Sequence, residues 1–335
     1  MIFDCHCHVI PAGMLTGAVP EDWRPAVSRD ADRQVVTFQG RRLTSITAEF
    51  CDVDVILAQA AAVGVTHLLV SPWVMLIPTS AEPALAARIC RVQNESLAEA
   101  ASRANGRVFA LGAVPLQDPA SAVTELQYLM GLPGMHGVEV PASVAGRYLG
   151  EDEFAPFWAA ADECNAVVFV HPTTTGLGLP ALNAHYLWNS VGNPVETTIT
   201  AAQLVTNGVL ARHRGLRVLL AHGGGALLTL RGRLRRAYRV RPEACATSAS
   251  PPDELLRGLY YDSLTHDRTV LADLVAFVGA DHVVLGSDRP FDMGADRPAD
   301  DIAALGLRAA DEQLVLSGSA SRLLGLQTTN EVDRR

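Results

Sequence analysis

The chain has 335 residues, 49% of them hydrophobic, and a formal net charge of -9. That acidic balance, with no basic block outside residues 231–241, argues against a nucleic-acid surface, and no apolar run approaches the roughly 18 residues that span a bilayer. Its six cysteines form no disulfide framework in a chain this long, so reduced thiols and a cytoplasmic location are expected.

In chain order, the opening Met1-Ile-Phe-Asp-Cys-His-Cys-His8 predicts a strand over 2–5 and is no signal peptide. Alternate residues of an extended chain share a face, so His6 and His8 point the same way, while Cys5 and Cys7 are expected on the other face, under helices. Residues 10–50 break the later pattern. Within them Gln34 to Thr44 reads as a hairpin turning at Gln39-Gly40. Helix-like and strand-like runs then alternate. Helices are predicted over 52–63, 83–103, 119–130, 154–164, 195–210, 227–238 and 270–278. Strands are predicted over 67–70, 108–114, 137–140, 167–170, 218–221, 259–262 and 283–285. Near-continuously apolar strands between helices mark a parallel sheet, and eight of them predict a closed (β/α)8 barrel. The whole of 1–335 reads as one such domain, with 10–50 inserted after the first strand as a lid. The long segment 172–194 is expected over the mouth as well.

Three later strands end on a further candidate group: the fifth on His171, the sixth on His222 and the eighth on Asp288. Strand carboxyl ends form the active-site face of such a barrel. Three imidazoles and a carboxylate make a nitrogen and oxygen site for one divalent ion, Zn²⁺ first and Mn²⁺ as an alternative. His6, His8, His171 and Asp288 are therefore the predicted ligands. His222 is left as a spare imidazole for general acid–base work, beside Gly223-Gly-Gly225. All 27 basic residues are arginine, which excludes a Schiff-base lysine and a carboxylated lysine bridging two metals. His67, His136, His213 and His282 lie at strand starts and read as structural; His185 and His266 lie in mouth-side segments. Arginine's planar fork grips carboxylates, and Arg41, Arg42 and the arginines after His222 flank the mouth, so an anionic small-molecule substrate is expected.

Asp4-Cys-His-Cys-His8, Val170-His171-Pro172, Ala221-His222-Gly-Gly-Gly225 and Leu285-Gly-Ser-Asp-Arg-Pro-Phe291 resemble the amidohydrolase superfamily. The similarity is to the branch of α-amino-β-carboxymuconate-ε-semialdehyde decarboxylase and the γ-resorcylate and 5-carboxyvanillate decarboxylases, and it extends over nearly the whole chain. It implies one divalent metal on His6, His8, His171 and Asp288, with His222 and Asp288 catalytic. It implies substrate contacts from Arg41 or Arg42, Trp188 and Phe291, and a homodimer in which Arg233 reaches the neighbouring subunit's site. The sequence departs from the branch pattern at Thr173-Thr-Thr175, Arg289 and Ser319-Ala320. The expected activity is metal-dependent, non-oxidative decarboxylation of an aromatic or conjugated unsaturated acid. Its rivals are hydrolysis of a lactone, amide or ester, hydration of an unsaturated acid, and a metal-bearing binding protein without turnover.

Overall fold

The computed structural model describes residues 1–30, 33–173 and 177–326; Thr174, Thr175 and the last nine residues of the predicted domain, 327–335, lie outside the described residues. Eight parallel strands form the central sheet in chain order: Phe3–Val9, His67–Pro72, Val108–Gly112, Met135–Pro141, Val167–His171, Arg217–Leu220, Tyr260–Asp262 and Val283–Val284. The first and last meet through Cys5 N–H, which donates to Leu285 O at 2.8 Å, and through a parallel bridge between Cys7 and Arg289. That contact closes the barrel.

The fifth strand shows why these runs become barrel strands. Val168 and Val170 join the cluster packed under the helices, Val167 and Phe169 join the interior cluster, and His171 ends the strand at the mouth. Both faces are dry, so the sequence is apolar without alternation. At the opposite end the helix Ser319–Leu323 contributes Ala320 and Leu323 to the interior cluster beside Phe3. His136 Nδ1 bonds Leu324 O there at 3.1 Å.

The first strand is longer than 2–5 because it pairs with the second as far as Val9 opposite Pro72. Its register shifts between Asp4 and Cys7, and this bulge changes which residues face inward. Cys7 packs under the helices as expected, but Cys5 belongs to the interior cluster with Phe169 and Leu219. Simple alternation fails at that one residue because the bulge inserts an extra position.

Helix boundaries follow local chemistry. Asp52 caps Val53–Ala61 by accepting from Asp54 N–H and Val55 N–H, and Asp267 caps Arg268–Val278 in the same way. Pro83–Arg103 opens on proline, whose fixed φ suits a first helical position. The helix predicted over 195–210 is two, Asn193–Thr206 and Val209–Arg212, because Gly208 adopts φ +74 between them. No helix among the described residues is long and apolar enough to cross a membrane.

The insertion is a three-stranded antiparallel sheet of Ala26–Asp30, Arg33–Phe38 and Arg41–Leu43. Gln39 and Gly40 turn the last two strands with φ +48 and +73, the geometry of a two-residue hairpin turn. The segment after this sheet is tied to the loop following the eighth barrel strand: Thr47 N–H donates to Pro290 O at 2.9 Å and Asp292 N–H to Ser45 O at 2.8 Å. Backbone bonds thus hold the insertion against the mouth.

Candidate metal centre

His6, His8, His171 and Asp288 each offer a donor atom, and the four atoms lie within 4.8 Å of one another. His6 and His8 are fully buried, and His171 and Asp288 nearly so. The tautomer of each imidazole follows from its partner. His6 Nδ1 is 2.6 Å from Asp262 Oδ2, and His171 Nδ1 is 2.8 Å from Pro172 O, so both carry their proton on Nδ1. His8 Nδ1 faces Ser71 Oγ at 3.3 Å and Glu139 Oε2 at 3.4 Å. All three rings therefore turn Nε2 toward the centre, where Asp288 Oδ1 lies 3.3 Å from that of His6 and 3.2 Å from that of His8.

His171 Nε2 and Asp288 Oδ1 are buried without a hydrogen-bond partner. Unpaired buried polar atoms are costly, and two of them aimed at one point fit a cation. Three imidazole nitrogens and one carboxylate oxygen are also a suitable donor set, so the cluster suits one divalent metal ion. The protonation preferences agree. Burial and the neighbouring imidazoles hold the His171 pKa well below the usual histidine value, leaving a free lone pair. Burial of Asp288 is outweighed by the charge of His6 and by the closeness of the His222, His6 and His8 imidazoles, which keep it ionised. For His6, burial is outweighed by Asp288 and Asp262 and the pKa rises to about 10; for His8, burial is outweighed by Glu139 and Asp288 and it rises to about 9. Their Nε2 atoms lie 3.0 Å apart at the site a metal takes, so protonation of this pair competes with metal binding.

His222 lies beside this cluster with Nε2 3.5 Å from Asp288 Oδ2 and its side chain partly open to the mouth. His222 and Asp288 both adopt positive φ, +56 and +54. Such backbone is uncommon for residues other than glycine, and strained positions of this kind gather at active sites. For His222 the support is visible. Asp262 accepts from His222 N–H at 2.8 Å and from Gly223 N–H at 2.7 Å while also holding His6. One carboxylate thus fixes both a donor to the centre and the spare imidazole.

Sequence reading missed Asp262 and Glu139. Asp262 ends the seventh strand as Asp288 follows the eighth, and that parallel was the available signal. Glu139 sits inside Met135–Pro141, fully buried with both carboxylate oxygens lacking hydrogen bonds. Nothing in Gly137-Val-Glu-Val140 distinguishes it from a solvent-facing glutamate.

Above the cluster is a cavity of about 570 Å³ whose walls include His171, His222, Asp288, Arg41, Trp188 and Phe291. Arg42 lines it too and pairs with Asp30 at 3.3 Å, whereas Arg41 makes no bond with a described residue. Trp188 stacks edge-on against Tyr186 with ring centres 4.9 Å apart, and Phe291 lies 5.6 Å from His8. Arg233, on the helix Leu227–Val240, is exposed, pairs with no described residue and does not line this cavity. His67, His136, His213 and His282 bond Thr66, Leu324 O, Asp162 and Leu259 O, away from the mouth. His185 and His266 do not line the cavity either.

Fold and donors together define a (β/α)8 barrel that holds a divalent-metal site at the carboxyl ends of its strands. The amidohydrolase family model matches residues 3–326, and the chain belongs to that family. Among curated relatives, 2-amino-3-carboxymuconate-6-semialdehyde decarboxylase of Dictyostelium discoideum is 27% identical, the alignment covering 96% of this chain and 91% of the relative. Among solved structures, IDCase of Metarhizium anisopliae in its apo form superposes with a TM-score of 0.81 at 22% identity over 98% of both chains. Dihydroxybenzoic acid decarboxylase of Polaromonas, solved with bound manganese and the inhibitor 2-nitroresorcinol, superposes with a TM-score of 0.79 at 20% identity, again over 98% of both.

Proposed function

We propose that this protein is a metal-dependent, non-oxidative decarboxylase of aromatic or conjugated unsaturated carboxylic acids. The observation that carries this reading is the convergence of His6, His8, His171 and Asp288 on one point with His222 beside them. The decarboxylase activities of the relatives support it. A divalent ion bound there supplies Lewis acidity toward a substrate oxygen.

The chain's own residues do the rest. Arg41 and Arg42 attract the acid and orient a carboxylate at the rim, and Trp188 and Phe291 pack against its unsaturated face. His222 holds a proton at Nε2, against Asp288 Oδ2. As the bond to the carboxyl carbon breaks, its electron pair stays on the substrate carbon. Carbon dioxide leaves, His222 gives that carbon the proton, and His222 takes a replacement proton from solvent at the open mouth. Asp262 keeps the His222 backbone in place for the transfer.

Zinc is the first choice for the ion, since imidazole-rich sites with one carboxylate favour it. Manganese, bound in the Polaromonas enzyme, is the alternative. The working unit in this reading is a homodimer in which the unpaired Arg233 of one subunit reaches the other's substrate, with free thiols kept reduced in the cytoplasm. Mixing inactive Arg233→Ala and His222→Ala proteins should then restore part of the activity, because one hybrid site receives both intact groups. No recovery after proven subunit exchange would place Arg233 outside the site.

The activity is tested by following carbon dioxide release from phenolic and conjugated unsaturated acids, with chelated protein as control. Metal-dependent release is expected. Consumption of lactones, amides or esters without carbon dioxide would assign the same residues to hydrolysis instead.

A further inference from the structure

A second cavity, of about 360 Å³, adjoins the mouth cavity, and Phe38, Arg41, Val74 and Met75 line both. It lies between the inserted sheet and the segment after the second barrel strand, and its lining mixes apolar residues, Trp23 and Ile77 among them, with the polar Gln39, Thr79, Ser80 and Thr173. None of its lining residues belongs to the metal cluster.

We propose that this cavity is a tail subsite: it receives an apolar substituent, an alkyl chain of several carbons, carried by the ring of the acid that reacts beside His222. The proposal rests on the decarboxylase reading for the position of the ring and adds the substrate class.

Three observations carry it. The first is composition. Among the described lining residues Arg41 alone is charged, and it stands where the two cavities meet. A second acid or phosphate group would find no other cation among the described lining residues, whereas a chain would find Trp23, Phe38, Val74 and Ile77 among uncharged polar neighbours such as Gln39 and Thr173. The second is rigidity. Phe38, Val74 and Ile77 are themselves buried, and Phe38 packs edge-on between Trp23 and Trp73 at 6.1 Å from each. The wall is already built, so a chain entering it orders little and keeps most of its transfer free energy. The third is size. The mouth alone is in the range of sites for drug-sized ligands, and the second cavity adds to it. A bare one-ring acid leaves the second cavity unused.

The same geometry gives the inserted sheet a function beyond covering the mouth. Phe38, Gln39 and Arg41 at its hairpin end form one side of the subsite. Chain-length preference is therefore set by the insertion and metal chemistry by the barrel.

Each methylene moved from water into an apolar pocket is worth about 0.8 kcal/mol, or about fourfold in affinity. The test is calorimetric titration of the zinc-loaded protein with salicylate and with 6-alkylsalicylates of one, three, five and seven carbons. Affinity should rise about fourfold for each carbon until the cavity is full. Ile77→Trp should abolish the increments while salicylate binds as before. Thr79→Trp, at a partly exposed wall position, should do the same should the Ile77 variant not fold. Affinity independent of chain length, no binding of the longer acids, or increments that survive the folded tryptophan variant would each overturn the proposal. Binding that follows this pattern without carbon dioxide release would instead refute decarboxylation and leave the subsite standing.

Discussion

The floor and the rim of the mouth are built differently. At the floor each imidazole bonds another group at Nδ1: His6 the Asp262 carboxylate, His171 the Pro172 carbonyl, and His8 the Ser71 hydroxyl, with the Glu139 carboxylate facing it at 3.4 Å. Ser71, Glu139 and Asp262 belong to barrel strands and Pro172 to the turn after one, and all but the Pro172 carbonyl are buried side chains. At the rim, Arg41 has no partner among the described residues and the Arg42–Asp30 pair is more than half exposed at both ends. Exposed ion pairs of that kind contribute little. The floor is therefore pre-organised for one cation, while the rim leaves its charges available to an incoming ligand.

If that contrast is right, substitutions at the floor should change metal binding and those beside it should change chemistry alone. The largest effect is expected for His171→Ala and Asp288→Ala, each of which removes one of the four converging donors. Both metal content and turnover should fall to background in elemental analysis and assay; retention of a full metal equivalent would remove that residue from the ligand set. His222→Ala should keep one equivalent of metal and lose about 10²–10⁴-fold in turnover, the range for general acid–base groups. Loss of the metal in that variant would make His222 a ligand.

A smaller effect belongs to the residues behind the donors. Glu139→Leu and Asp262→Asn should each weaken metal affinity by about 10–100-fold, measured by chelator competition. Glu139→Gln, which keeps an acceptor facing His8, should lie nearer the wild type. If Ser71→Ala weakens the metal more than Glu139→Leu does, the hydroxyl and not the carboxylate holds His8.

A further test, which needs no substitution, is pH. In metal-free protein the raised pKa values of His6 and His8 stabilise the fold fully below about pH 6.5, and that contribution fades as pH climbs through about 9 to 10. Metal must displace proton from these imidazoles, so binding strengthens over the same interval. As pH rises the metal-free fold therefore loses stability while the metal-bound fold gains affinity. The rise in melting temperature on adding zinc should widen from pH 6.5 to pH 9, by roughly 1.4 kcal/mol of binding per pH unit for one proton. A constant gap would mean that no proton is displaced.

The barrel was legible because buried parallel strands leave continuous apolar runs, and the four donors and His222 stood out because each closes or follows such a run. What escaped was set by closure and irregularity. Glu139 looks like an outward polar residue until the sheet curls into a barrel with a dry interior. Cys5 faces inward because of a register shift that no residue type announces. The inserted sheet needed three strands and not one hairpin, and its third partner, Ala26–Asp30, carries no strong strand pattern. The neighbouring cavity arises from residues distant in sequence, Trp23, Phe38 and Ile77, and could be found only in three dimensions.

The central claim is that this site breaks a carbon–carbon bond and returns a proton to carbon. It is tested most directly by incubating the metal-loaded protein with an acid it consumes in D₂O, and by measuring carbon dioxide and the label in the product. The account predicts one carbon dioxide for each acid consumed and one deuterium at the carbon that lost it. Acid consumed without carbon dioxide, with solvent oxygen in the product, would contradict it.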